Sequence, residues 1–205
     1  MNSAKYTLIG AASILSLSVL APSAFAAFDE EKTTEATVTF TAEGGGTADL
    51  LTLDYGPVID FSSQALSLEE KTYNSSSISP SLQVTDRRGG GGLGWNIMAK
   101  ASAFSKDETV QLKGAVINFA TGTASQIGNT TFTAPEPESF VLATDGVADS
   151  VVVAAENTGL GTWLIDWNAA AEENDKITLT VPAGAASEGT FISTLTWTLS
   201  DTPTN

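Results

Sequence analysis

Carboxylates and tryptophans are the side chains with which this chain could do chemistry. It carries 24 Asp and Glu and four Trp, but neither His nor Cys. Without imidazole or thiol there is no Ser-His-Asp or Cys-His nucleophile, no ordinary zinc site, no thioether-linked haem and no disulfide. Acid–base work falls to carboxylates, which leaves glycoside hydrolysis as the common reaction still open. Asp166 stands between Trp163 and Trp167, and Glu172 adjoins Glu173. Nothing in the sequence selects a second carboxylate for either, so the expectation is a protein that is not an enzyme. Oxygen ligands cluster at Asp145 to Asp149 and at Glu172 to Asp175, but neither matches the EF-hand spacing, and no metal or other cofactor is expected. The run Gly89 to Gly92 lacks the Lys-Ser/Thr of a phosphate loop and reads as a hairpin connection.

The cations are few and unevenly placed. Nine Lys and Arg against the 24 acids give a formal charge of −15. Such a balance argues against DNA or RNA as a partner. Yet from Lys71 to Lys113 six bases meet three acids, a local +3 around Trp95. Arg87, Arg88 and Lys100 in this stretch are candidates for contact with an anionic polymer or an acidic partner surface, ordinary solvated charges being the other reading. Replacing Arg87 and Arg88 by Gln is then expected to weaken such a contact in a salt-sensitive way.

The elements that must position these residues are strands. Residues 1–27 read as a cleaved signal peptide: Lys5, an apolar run from Thr7 to Leu20, Pro22, then Ala24-Phe25-Ala26 before the cleavage point. The apolar run is shorter than the ~20 residues of a bilayer span, and no later segment is apolar enough to insert directly in a membrane. Removing Lys5 leaves eight bases and a charge of −16. Residues 28–49 form an acidic arm or an edge strand through Val38 and Phe40. Beyond them, period-two alternation recurs at Leu51-Leu53-Tyr55, Ile177-Leu179-Val181 and from Phe191 to Leu199. Gly-rich breaks separate these runs, and Ala169 to Asn174 allows at most a turn or two of helix. The expected fold is all-β, a β-sandwich of many short antiparallel strands.

Two tryptophan segments carry a resemblance. The C-terminal one reads Phe191-x-x-x-Leu195-Thr196-Trp197-x-Leu199-x-x-x-Pro203, and the upstream one is Gly94-Trp95-Asn96-Ile97. The pair resembles the WxL domain surface proteins of Gram-positive bacteria, which have an upstream W-x-L and a terminal Y-x-x-x-(L/I/V)-T-W-x-L-x-x-x-P. Phe191 replaces the usual Tyr and Ile97 the usual Leu. The similarity spans roughly Leu50 to Pro203, so 50–205 is expected to be the WxL domain, with Trp95, Ile97, Leu195, Thr196, Trp197, Leu199 and Pro203 as its motif residues. The resemblance implies an exported protein held non-covalently on the cell wall, with peptidoglycan or another wall polymer as ligand. It also implies a membrane-anchored WxL-interacting protein as partner and adhesion to host matrix proteins. From the residues alone the tryptophans are core residues or, if one is partly exposed, a platform for a sugar ring; Trp163 and Trp167 offer a second such face. The rival functions are a structural subunit assembling by strand pairing and a carboxylate-dependent glycan hydrolase.

Overall fold

Alternation of apolar and hydroxyl side chains builds the molecule. The computed structural model describes residues 50–89, 92–106, 109–128, 131–168 and 174–202. The signal peptide, the 28–49 arm, the helical turn expected at Ala169, the Glu172-Glu173 pair and Pro203 lie outside the described residues. Along the chain the strands are β1 (Leu51–Tyr55), β2 (Val58–Asp60), β3 (Lys71–Ser75), β4 (Ser77–Ser79), β5 (Leu82–Asp86), β6 (Trp95–Ala101), β7 (Ser105–Lys106) and β8 (Val110–Gln111). They continue with β9 (Val116–Phe119), β10 (Thr123–Ile127), β11 (Glu136–Pro137), β12 (Phe140–Ala143), β13 (Asp149–Ala154), β14 (Gly161–Asp166), β15 (Asn174–Val181) and β16 (Leu195–Ser200).

Three four-stranded antiparallel sheets, ordered β1-β5-β14-β10, β11-β13-β6-β16 and β12-β9-β15-β3, carry most of these strands. β2 with β4 and β7 with β8 make two-stranded ribbons. The three sheets share one apolar core. Leu82 and Val84 enter it from β5, Trp95 and Ile97 from β6, and Ile117, Leu142 and Ile177 from the third sheet. The expected all-β sandwich is what the chain builds.

β15 shows how a single strand serves both faces. Ile177, Leu179 and Val181 are buried, each burial contributing about 1.5–3 kcal/mol. Thr178 and Thr180 point the other way, where the Asn118 amide donates to both hydroxyls at 3.4 and 3.2 Å. The Thr180 hydroxyl also lies 3.0 Å from that of Thr72 across the ladder with β3.

The long strand expected from Phe191 is shorter in the structure. Ile192 exchanges both backbone hydrogen bonds with Ser105, at 2.9 and 3.0 Å, and regular pairing with β6 starts only at Leu195. Between them side chains supplement a single backbone bond, from the Ser102 N–H to the Thr194 carbonyl at 3.0 Å. Ser193 Oγ donates to the Ser102 carbonyl at 2.7 Å, and the Thr194 N–H donates to Ser102 Oγ at 2.9 Å.

On the outer side of the first sheet, Asp54 collects three donors: Thr85 Oγ1 at 2.6 Å, Thr52 Oγ1 at 2.7 Å and Gln83 Nε2 at 2.9 Å. Burial works to raise its pKa, but these bonds and the charge of Arg87 outweigh burial and hold the carboxyl below its ordinary value. A depressed native pKa stabilises the fold above the unfolded-state pKa, and that contribution fades as pH falls through the native pKa. Asp54→Asn is therefore expected to lower stability at pH 7 and to flatten the loss of stability below about pH 4. Urea unfolding of both proteins at pH 7 and pH 3 checks this, and parallel curves would refute it.

Candidate functional site

The two tryptophan segments, far apart in sequence, form neighbouring strands. β6 and β16 pair antiparallel with Leu195 opposite Ala101, Trp197 opposite Ala99 and Leu199 opposite Ile97. Residues directly opposite in a ladder share a face. Trp95, Ile97, Leu195, Trp197 and Leu199 thus project from one side of the sheet, toward the core. Thr196 and Thr198 project from the other side and are exposed, with Lys100 exposed opposite Thr196.

On that shared face the two tryptophans have different environments. Trp95 is 0% exposed, and its N–H donates to the Gly159 carbonyl at 3.2 Å. Gly159 has φ of +70°, and a Cβ there would lie 2.8 Å from Trp95 Nε1, so only glycine lets the chain pass so close. A buried ion pair holds the entry to β6. Arg88 Nε and Nη2 donate to the two oxygens of Asp86 at 3.0 and 2.8 Å, and Nη2 also reaches the Gly94 carbonyl at 2.7 Å. The hydrogen bonds to Asp86, helped by the charges of Asp86 and Asp201, raise the guanidinium pKa against the effect of burial.

The adjacent arginines consequently have separate surroundings. Arg87 is exposed, whereas the Arg88 side chain is 13% exposed and its partner Asp86 0%. Arg88→Gln leaves a buried carboxylate without its cation and is expected to cost roughly 3 kcal/mol of stability. Arg87→Gln should change stability by less than about 0.5 kcal/mol. Thermal unfolding of the two single variants separates them; equal melting temperatures would contradict the assignment.

Trp197 is half-buried and lines a cleft of about 930 Å³. Phe61, Tyr73, Phe104, Phe191 and Leu195 are among the other walls. Its ring meets Trp167 at 6.3 Å and the edge of Phe119 at 6.2 Å. Gly56 crosses over it: a Cβ at that position would sit 2.8 Å from Trp197 Cδ1. The other three indoles donate to backbone carbonyls, of Gly159, Leu160 and Ala120. The Trp197 N–H has no acceptor among the described residues. Among the described residues Asp60 is the one charged side chain lining the cleft. One Asp60 oxygen accepts the Ser62 N–H at 2.8 Å. Val58, Leu66 and Ile192, 69, 62 and 69% exposed, form an apolar rim.

Trp163 and Trp167 are 5% and 1% exposed, so neither presents a face to solvent. Asp166 Oδ1 accepts the backbone and side-chain N–H groups of Asn168 at 2.9 and 2.6 Å and serves a turn. Asp145 and Asp149 likewise accept nearby backbone N–H groups, of Val147 and Ser150. Sequence patterns missed the cleft because much of its wall, from Phe61 to Leu66 and from Ala186 to Ser193, is loop without periodicity. The one available signal was Phe191, a motif position preceding the strand that turns out to share the cleft with Trp197.

No curated protein and no solved structure matches the chain. A family model for the WxL domain, described as a surface cell wall-binding domain, matches residues 27–203. That span covers both tryptophan strands and every wall of the cleft, and it places the protein at the cell surface in association with the wall. The chain belongs to the WxL family of surface cell wall-binding domains.

Proposed function

We propose that the protein is a non-catalytic surface protein, held on the Gram-positive wall without a covalent bond, whose cleft beside Trp197 takes the glycan of peptidoglycan. The observation that carries this reading is the half-buried Trp197 on the cleft wall, with an N–H that has no acceptor among the described residues. An aromatic face next to a free donor suits a sugar ring, which offers C–H groups to the ring and hydroxyls to the donor. Asp60, the one charged group among the described residues of the cleft, favours a neutral glycan over a polyanionic wall polymer. Glycoside hydrolysis needs two carboxyl groups flanking the bond, and among the described residues the cleft lining supplies one.

In this reading residues 1–27 are removed on export, residues 28–49 lead into the domain, and residues 50–205 are the binding unit. Arg87 and Lys100 on the exposed surface assist through long-range attraction to anionic wall material, which salt weakens. A membrane-anchored WxL-interacting protein is the expected partner, and adhesion to host matrix proteins follows from display on the wall.

The test is co-sedimentation of residues 28–205 with purified peptidoglycan. Binding that persists in 1 M NaCl is expected, because the cleft acts through stacking and hydrogen bonds. Failure of the folded protein to sediment at any ionic strength would overturn the proposal.

A further inference from the structure

β16 ends its sheet, and the geometry of its outer edge is specified by the ladder on its inner side. The Ser102 N–H donates to the Thr194 carbonyl at 3.0 Å, which makes Thr194 and Ser102 a hydrogen-bonded pair. In an antiparallel ladder such pairs alternate with non-bonded ones. Thr196 and Thr198 therefore bond toward β6, and Leu195, Trp197 and Leu199 turn their N–H and C=O groups outward. Among the described residues no backbone group pairs with that edge.

Natural edges are usually blunted by charge, proline or a bulge. Leu195 to Ser200 has none of these, in a chain whose formal charge is −15. It also reads the same in both directions about Trp197: Leu-Thr-Trp-Thr-Leu. An antiparallel neighbour of identical sequence, related by a two-fold axis at Trp197, would set Trp197 against Trp197, Leu195 against Leu199 and Thr196 against Thr198. In that register every outward N–H of Leu195, Trp197 and Leu199 meets an outward carbonyl of the other strand.

We infer that β16 is a self-pairing edge, and that two copies of this chain join through it into one continuous eight-stranded sheet. The contact is isologous, so it closes at the dimer and does not propagate into a fibre. The two Trp197 side chains lie on the same side of the joined sheet, so the two clefts open next to each other. Pairing six residues is small beside the ~1,200–2,000 Å² of a stable interface, so the dimer is weak in solution and is favoured by crowding on a surface. Two adjacent clefts on one polymer turn a modest single-site affinity into avidity. Self-association needs no wall ligand, so it stands or falls apart from the glycan reading.

Sedimentation equilibrium of residues 28–205, up to about 0.5 mM protein in 0.15 M and 1 M NaCl, tests the inference. A monomer–dimer equilibrium that tightens with salt is expected, because the partners carry like charge. A monomer throughout would overturn it, as would association that weakens with salt. The exposed threonines supply a second test. T196K/T198K and T196E/T198E should each be monomeric, since like charges then face each other across the two-fold, with unchanged circular dichroism and melting temperature. Mixed in equal amounts they should form a one-to-one heterodimer. Dimerisation of either variant alone at the wild-type level would place the contact elsewhere and refute the assignment, and so would absence of the heterodimer.

Discussion

Trp95→Ala is expected to lower the melting temperature by about 10 °C or more, the largest stability effect among the motif residues. The indole is fully buried, touches Gly159 and donates to its carbonyl. Truncating a buried Trp to Ala costs about 3–5 kcal/mol, and a domain of this size loses about 2–4 °C per kcal/mol. The loss combines the cavity with an unsatisfied Gly159 carbonyl. Gly159 cannot move in to fill the gap easily, because Ala154 already lies against it: a Cβ on Gly159 would be 2.6 Å from that of Ala154. Trp95→Phe retains most of the volume and should recover about half of the loss. Calorimetry of the three proteins decides the matter; a Trp95→Ala shift below about 3 °C would mean that the indole is not part of the core packing.

Trp197→Ala is expected to have the largest effect on wall binding, weakening it about 10- to 30-fold on the scale of an aromatic hot spot. Its stability cost should be smaller than that of Trp95→Ala, since the ring is half-buried and its N–H bonds no carbonyl among the described residues. Trp197→Phe retains the edge contacts with Phe119 and Trp167 while losing the donor. It should therefore fall between wild type and Trp197→Ala in affinity while keeping a wild-type melting temperature within a few degrees. Binding isotherms on purified peptidoglycan, paired with thermal unfolding of each variant, separate lost contact from lost fold. A folded Trp197→Ala protein that binds like wild type would remove Trp197 from the site.

The contrast between these two residues marks how much could be read from the sequence. Alternation identified β1, β15 and β16 and the sandwich class, because a half-buried strand must repeat every two residues. It also put Leu195, Trp197 and Leu199 on one face. It could not tell which tryptophan would keep contact with solvent, since Trp95 and Trp197 occupy equivalent places on neighbouring strands. That difference arises from what lies above them: Gly159 and Ala154 over Trp95, an open cleft beside Trp197. The neighbouring arginines illustrate the same limit. The local +3 charge treated Arg87 and Arg88 alike, but Asp86, buried at the end of β5, claims one of them. The cleft itself was illegible because loop residues with no period form so much of it.

The pairing of β6 with β16 also has a consequence for how the protein reaches its place. Central β6 is flanked by β13 and by a strand some hundred residues further along the chain. Its hydrogen bonds on that side have no protein partner until Leu195 to Ser200 has been synthesised. Contacts this distant in sequence form late, after the closure entropy of a long loop has been overcome. A nascent chain is thus left without its completed core until residues 195–200 have emerged and returned to β6. β16 acts as a latch on folding, one that engages only after an intervening loop of about a hundred residues has closed.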